Sequence, residues 1–264
     1  MHLRLSARTP RTGCVITLNY SYYLSTAIYR WIEASSPGYS RFLHDKGFQV
    51  NGSLKRFKHF CFSQLGIARR RINNGMLQIL SPTIEWYITM PVEASLQHLV
   101  VGIFENREFY IEREENRFVV EQVETLPDPR WERRMRFRLL SPLSSSVTVE
   151  KNGKLMPYYL LAGDPRLNEA LRINLLNKFR SLYDREPEDT ELVCTLDNEF
   201  IAGRGGSEKI SKLITIKQGR PDETRVRGFM CPLTLDGNPE LIALAYESGL
   251  GEKNSLGFGM LETA

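Results

Sequence analysis

Apolar residues follow two periods along the chain, one of two residues and one of three to four residues. Alternation of apolar and polar residues predicts strands, over 3–8, 14–17, 57–62, 67–72, 76–80, 84–89, 109–113 and 118–123 in the first half and over 135–140, 146–150, 191–201, 213–217, 225–235 and 257–261 in the second. Helical spacing predicts helices over 21–34, 91–104, 165–183 and 239–247. A shorter helix is predicted to begin at Ser36-Pro37 and to end at Gly47.

A proline-punctuated segment, Leu126-Pro127-Asp128-Pro129-Arg130, lies at the midpoint of the chain. Because such segments are typical of connections between domains, we expect one domain over 1–126 and a second over 131–264. Each half mixes strands and helices, and Asn73-Asn74-Gly75 indicates a hairpin. This mixture predicts an α+β fold with one split β-α-β unit in each half.

The composition is that of an ordinary globular protein, with 42% hydrophobic and 25% charged residues among 264. It excludes a collagenous, disordered or membrane-embedded chain, and the N-terminus has no apolar core typical of a signal peptide. The four cysteines form no C-x-x-C pair, so we expect neither a zinc site nor a disulfide framework. The cytoplasm is the expected compartment.

Charge is segregated along the chain, although the formal net charge is only +4. Residues 1–84 carry 12 basic and 2 acidic residues, whereas residues 85–130 carry 4 basic and 10 acidic ones. Residues 202–230 hold a further 7 basic residues against 3 acidic ones. This segregation favours a polyanionic ligand, and a solvated basic face is the alternative interpretation.

The chain has no P-loop, H-E-x-x-H or G-x-S-x-G motif, which argues against a P-loop NTPase, a zincin or an α/β-hydrolase. A histidine mechanism must therefore use one of four residues, His2, His44, His59 and His98. His44 lies in the last turn of the short helix, where a protonated ring either serves chemistry or only caps the helix. Tyr29 lies beside the apolar stripe of the first helix, where it either faces a ligand or stays half-buried.

A glycine-rich segment near the C-terminus, GLGEKNSLGFG, occupies residues 249–259. Its glycines would let backbone amides approach a phosphate, and Lys253 adds a positive charge. A hairpin with bulges is the alternative interpretation. The spacing departs from G-x-G-x-x-G, which argues against a dinucleotide site.

Residues 249–261, GLGEKNSLGFGML, resemble the C-terminal signature of the CRISPR repeat-RNA endoribonucleases, which belong to the RAMP superfamily. Further stretches resemble elements of the same family in the same order: LNYSYYLSTAIYRWI (18–32), YSRFLHDKGF (39–48), FKHFCFSQL (57–65) and LLSPL (139–143). The resemblance covers both halves. It implies two tandem ferredoxin-like domains, each with the element order βαββαβ.

The resemblance also implies a function. Family members cut the precursor transcript within its repeats by 2′-hydroxyl attack, without metal or cofactor, leaving 5′-hydroxyl and 2′,3′-cyclic phosphate ends. The family's catalytic histidine and helix tyrosine match His44 and Tyr29, and its lysine matches Lys58, with Lys46 and Lys55 as rivals. RNA contacts are expected from the basic stretches and the glycine-rich segment, at Lys46, Lys55, Arg56, Arg69, Arg70, Arg71, Arg204, Lys209, Lys212, Arg225, Arg227, Gly249, Gly251, Lys253, Gly257 and Gly259.

The expected partner is CRISPR repeat RNA, with no membrane association; a homodimer and hand-over of the product to a guide-RNA effector complex are further expectations. Three alternatives stay open on the sequence alone. They are a non-cleaving RNA-binding module of the same fold, a structural subunit of an effector complex, and a small-molecule enzyme on a ferredoxin-like fold. Charge segregation argues against the last of these.

Overall fold

The computed structural model describes residues 1–50 and 55–264. Its helices are α1 (Ser21–Ser35), α2 (Pro37–Arg41), α3 (Glu93–Glu105), α4 (Leu167–Tyr183), α5 (Asn198–Gly203), α6 (Ser207–Ile210) and α7 (Pro239–Ser248). Its strands are β1 (His2–Arg8), β2 (Cys14–Thr17), β3 (Phe48–Gln49), β4 (Arg56–Phe57), β5 (Cys61–Phe62), β6 (Arg70–Asn73), β7 (Met76–Ile79), β8 (Thr83–Thr89), β9 (Glu108–Ile111), β10 (Arg113–Leu126), β11 (Arg134–Leu139), β12 (Ser146–Lys151), β13 (Lys154–Tyr159), β14 (Leu192–Leu196), β15 (Ser211–Ile216), β16 (Thr224–Phe229), β17 (Leu233–Gly237) and β18 (Leu261–Thr263). Across these ranges, no helix has the length and apolar character needed to span a bilayer.

The first domain is built on an antiparallel sheet with the strand order β5-β8-β1-β10-β9. The connections β1-α1-β5 and β8-α3-β10 interleave as two split β-α-β units, which is the ferredoxin-like arrangement. The apolar stripe of α1, which includes Leu24, Ile28 and Trp31, is buried as its spacing predicts. Helix α3 packs closely on α1 at Gly102, where a side chain would not fit. A Cβ at this position would lie 1.8 Å from the carbonyl oxygen of Trp31.

The second domain repeats this plan with the antiparallel order β14-β17-β11-β18 and with α4 and α7 as its helices. The expectation of two tandem ferredoxin-like domains is therefore confirmed. Two hairpins, β12-β13 and β15-β16, are inserted between the common elements. A boundary between residues 126 and 131 stays a prediction.

Three predicted strands are wrong in part. The strand predicted over 57–62 is interrupted at His59, whose φ of +47° is outside the extended region. The strand over 191–201 ends at Leu196, because the Asp197 carboxylate accepts from the Phe200 amide at 2.9 Å and so caps α5. The strand over 225–235 is interrupted around Pro232, which has no amide hydrogen for a sheet.

The final predicted strand also begins later than expected. The glycine-rich segment forms a buried loop with a short 3₁₀ turn at Asn254–Leu256, and the strand itself starts at Leu261. This loop packs together with the β15-β16 hairpin through Phe258, Ile214, Ile216 and Val226. Tyr22 of α1 packs on the same cluster, so the loop and hairpin of the second domain lie against the first domain's helix.

Candidate active site

A cleft of about 470 Å³ lies between the two domains and contains the three side chains expected to act in catalysis. Tyr29 comes from α1, His44 from a π-helical turn at Phe42–Lys46, and Lys58 from the segment after β4. The second domain lines the opposite side through the β15-β16 hairpin and the glycine-rich loop, at Ile216, Lys217, Asp222, Thr224, Val226, Lys253, Ser255 and Leu256. The structure therefore brings these three residues together at an inter-domain surface.

His44 is the most accessible of the three, with 71% of its side chain exposed. Its Nδ1 lies 2.8 Å from the Asp45 Oδ1. Since an ionised carboxylate only accepts hydrogen bonds, Nδ1 is the protonated nitrogen of the neutral ring, and Nε2 keeps its lone pair. The same hydrogen bond lowers the pKa of Asp45. Asp45 therefore orients the imidazole and leaves Nε2 as the nitrogen with a lone pair.

Tyr29 is half-buried between the cleft and the core of the first domain. Its ring makes edge contacts with His44 and Phe60, at centroid distances of 5.4 and 5.5 Å. Burial raises the pKa of Tyr29 well above its usual value, so the phenol stays protonated across the neutral range. Both interpretations of this tyrosine thus apply, because a ring packed at the core boundary also lines the cleft.

Lys58 is anchored to the turn that carries His44. Its Nζ donates to the backbone carbonyl oxygens of Leu43 and His44. An ammonium has three N–H groups, so these contacts leave one for a phosphate oxygen. Burial and then the positive charge of Arg56 lower the pKa of Lys58, and Asp45 opposes that shift. Lys58 is thus a cation held against the backbone of the turn that carries His44.

The glycine-rich loop shapes the second side of the cleft from within the protein. Its glycines all have φ between +73° and +82°, at Gly249, Gly251, Gly257 and Gly259. A Cβ at Gly257 would lie 2.6 Å from the Phe62 ring, and one at Gly259 would lie 1.9 Å from the Leu250 carbonyl oxygen. Packing inside the chain therefore requires glycine here. Lys253 is the cation that this loop adds to the cleft, and RNA contact by the glycines stays a prediction.

A second cavity of about 400 Å³ continues the cleft along the domain boundary. It shares Lys58, Lys253, Ser255 and Leu256 with the cleft, and it is also lined by Lys55 and Arg56. Three of the expected RNA-binding residues, Lys55, Arg56 and Lys253, therefore lie along one continuous groove. Lys46 is exposed at the end of the π-helical turn.

The other basic residues expected to bind RNA lie outside this groove. Arg69, Arg70 and Arg71 are exposed at β6. Burial lowers the pKa of Lys212 on β15, and the positive charge of Arg70 lowers it further. On the same hairpin, Arg225 and Arg227 form ion pairs with Glu223 and Glu208, at 3.7 Å each. Arg204 ends α5 and stacks over Phe200 at 5.2 Å, and Lys209 lies on α6. The stretch 204–209 is thus partly helical.

The sequence patterns do not single out Asp45, which contacts His44, or the cleft residues Lys217 and Thr224. The adjacency of Asp45 to a candidate catalytic histidine was a usable signal. Lys217 and Thr224 belong to a hairpin that is remote in sequence, and no local pattern connects them with α1. As for metals, residues 1–50 and 55–264 contain no cluster of three or more His, Cys, Asp or Glu side chains that could hold an ion.

Two ferredoxin-like domains with a basic groove between them define a protein built to hold an extended anionic ligand. Comparison with known families agrees. The family described as CRISPR-associated protein Cas6, N-terminal, matches residues 15–124, and the one described as CRISPR associated protein Cas6, C-terminal, matches residues 124–263. The chain belongs to the Cas6 family of CRISPR-associated proteins, which confirms the resemblance found in the sequence.

Individual relatives are similar along nearly the whole chain. The chain is 28% identical over 256 residues to the CRISPR-associated endoribonuclease Cas6 1 of Methanocaldococcus jannaschii, covering 94% of this chain and 87% of that protein. It is 26% identical over 249 residues to the CRISPR-associated endoribonuclease Cas6 of Pyrococcus furiosus, covering 94% and 83%. A solved structure of a Cas6-related protein from Pyrococcus furiosus has the same fold, with a TM-score of 0.84, 23% identity and coverage of 100% and 98%.

Proposed function

We propose that this chain is an endoribonuclease that cuts CRISPR precursor RNA within its repeats, in the cleft between its two domains. The observation that carries the proposal is the convergence of Tyr29, His44 and Lys58 in one basic cleft. The relatives described above, which are named CRISPR-associated endoribonucleases, support the same activity.

The chemistry begins at a ribose 2′-hydroxyl. Nε2 of His44 accepts the hydroxyl proton, and the resulting oxygen attacks the adjacent phosphorus. The bond from phosphorus to the 5′-oxygen breaks, which leaves a 2′,3′-cyclic phosphate on one product. The departing 5′-oxygen takes a proton from Tyr29 or from the imidazolium of His44 and becomes a 5′-hydroxyl. Side chains supply both proton transfers.

Negative charge increases on the non-bridging oxygens as the phosphorane forms. Lys58 lines the cleft and is held by the His44 carbonyl oxygen, so its positive charge stabilises that negative charge. Lys253 provides a second cation from the opposite side. A single well-placed donor of this kind contributes about 3 kcal/mol to the transition state.

The basic residues of the groove provide a path for the RNA backbone. Lys55, Arg56 and Lys253 contact phosphates along the domain boundary, and Arg69–Arg71 with the β15-β16 hairpin extend the positive surface. Sequence choice then depends on unpaired bases and on RNA shape, because the major groove of A-form RNA is too narrow to be read. A homodimer, hand-over of the product to a guide-RNA effector complex and a cytoplasmic location stay predictions.

The test is incubation of the purified protein with repeat RNA in EDTA, followed by identification of the product ends. We expect one cut per repeat, a 5′-hydroxyl and a 2′,3′-cyclic phosphate. Tight binding without cutting, in both EDTA and magnesium, would instead indicate a non-cleaving RNA-binding module. A linear 3′-hydroxyl product would rule out attack by the 2′-oxygen.

A further inference from the structure

His59, the residue after Lys58, forms a buried hydrogen-bonded bridge between the two domains. The residue is only 4% exposed. Its Nδ1 lies 2.7 Å from the Ser248 Oγ, and its Nε2 lies 2.9 Å from the Ser181 Oγ. Ser181 is on α4 and Ser248 ends α7, so both partners belong to the second domain.

The direction of each hydrogen bond follows from Ser181. Its hydroxyl donates to the Lys178 carbonyl oxygen at 2.8 Å, and a hydroxyl has only one hydrogen. The Ser181 oxygen must therefore accept from Nε2–H, which leaves Nδ1 of the neutral ring to accept from Ser248. Burial, reinforced by the charge of Lys178, lowers the pKa of His59 to about 3, so the ring stays neutral at physiological pH.

The backbone at His59 explains why such a bridge is needed. A φ of +47° is uncommon for a residue with a Cβ and persists only where surrounding contacts impose it. This conformation directs two consecutive side chains to different places. Lys58 lines the cleft, whereas His59 packs in the interface between the domains. The two serine contacts hold this turn in place.

The same buried region also holds the loop that carries Lys253. Lys178, which is 3% exposed, donates from Nζ to three oxygens of this loop. They are the carbonyl oxygens of Gly249 and Gly251, at 2.5 and 2.9 Å, and the Asn254 Oδ1 at 2.7 Å. Lys178 therefore contacts both structures. Its carbonyl oxygen accepts from Ser181 of the His59 bridge, and its Nζ donates to the glycine-rich loop.

We propose that His59 is a positioning residue, which fixes Lys58 relative to the second domain's side of the cleft. The inference rests on the proposed ribonuclease function, because Lys58 has its role there. His59 lines the second cavity, but its side chain is buried and both of its ring nitrogens are engaged by serine hydroxyls, so it acts through its neighbour. Displacing a catalytic group by about 1 Å can cost about 100-fold in rate, whereas RNA affinity is shared among many phosphate contacts.

The test is a double-mutant cycle between His59→Ala and Lys58→Ala, read as the single-turnover cleavage rate and the dissociation constant for repeat RNA. We expect His59→Ala to slow cleavage about 100-fold at an unchanged dissociation constant. In the Lys58→Ala background the same substitution should add almost nothing, because the group that it positions is gone. A wild-type rate in His59→Ala, or equal losses in both backgrounds, would overturn the proposal.

His2→Ala is the matched control. His2 is also a buried histidine that bridges the domains, with its Nε2 3.0 Å from the Tyr246 carbonyl oxygen, but it lies outside the cleft. It should lower the melting temperature and leave the cleavage rate of the folded protein unchanged. If His59→Ala does not fold, Ser181→Ala keeps the imidazole and removes the Nε2–H acceptor together with the donor to the Lys178 carbonyl oxygen. It should show the same non-additivity with Lys58→Ala. A wild-type protein that does not cut would refute the proposed function instead.

Discussion

Replacing His44 with alanine removes the proposed base from a position that contributes little to packing. The side chain is 71% exposed, and it contacts the Asp45 carboxylate and the edge of the Tyr29 ring. Substitutions at such exposed positions change the free energy of unfolding by no more than about 0.5 kcal/mol. For a chain of 264 residues, the melting temperature should therefore move by no more than about 2 °C.

The expected effect on the chemical step is far larger. A positioned general base contributes about 10²–10⁴-fold to the rate. At about 1.4 kcal/mol per factor of ten, that corresponds to about 3–6 kcal/mol of activation free energy. Because the proposed phosphate contacts come from lysines and arginines, the dissociation constant for RNA should hardly change.

The assay is single-turnover cleavage of end-labelled repeat RNA by saturating protein in EDTA, with the dissociation constant measured separately. His98→Ala serves as the control, since His98 is a half-buried histidine outside the cleft with its Nδ1 3.1 Å from the Ser35 Oγ. We expect His44→Ala to cut at least 100-fold more slowly and His98→Ala to cut normally. Wild-type cleavage by His44→Ala, or a loss that is explained by weaker binding, would refute the assignment.

Three further predictions follow from the same contacts. Lys58→Ala should lower the single-turnover rate about 100-fold or more, and a rate within twofold of wild type, about 0.4 kcal/mol, would contradict its role. Gly257→Ala should lower the free energy of unfolding in urea by about 2 kcal/mol or more, because φ is +82° and the new Cβ would lie 2.6 Å from the Phe62 ring; unchanged stability would contradict the packing of the loop. Burial lowers the pKa of His59 to about 3 and that of His2 to about 4, from 6.5, so stability should be complete above pH 6.5 and fall as the pH drops towards 4. The loss should approach about 1.4 kcal/mol per pH unit for each histidine, and a flat urea-unfolding profile between pH 7 and 5 would contradict it.

Much of the fold follows from local patterns. The spacing of Leu24, Ile28 and Trp31 is sufficient to predict α1, because a buried helix face needs apolar residues every three or four positions. The pattern fails where another interaction decides the backbone. Phe200 and Ile201 are bulky apolar residues typical of strands and lie shortly after β14, but the cap at Asp197 starts a helix there. Hydrogen bonds of this kind leave only a weak trace in hydrophobic periodicity.

The sequence predicts candidate residues for the site but not their geometry. The family resemblance matches Tyr29, His44 and Lys58, the structure places all three in one cleft, and their catalytic roles stay predictions. The second side of that cleft depends on how the domains pack, which no local pattern encodes. The role of His59 was equally hidden, because its partners on α4 and α7 are distant in sequence.

The central claim is that a ribose 2′-hydroxyl is the nucleophile in the inter-domain cleft. The most direct measurement uses repeat RNA with a single 2′-deoxy substitution at the nucleotide 5′ of the mapped cut. We predict that this RNA binds as tightly as the unmodified repeat, stays intact in the presence of the wild-type protein, and inhibits cleavage of the natural repeat. Cleavage of the substituted RNA at the same bond and rate would contradict the account.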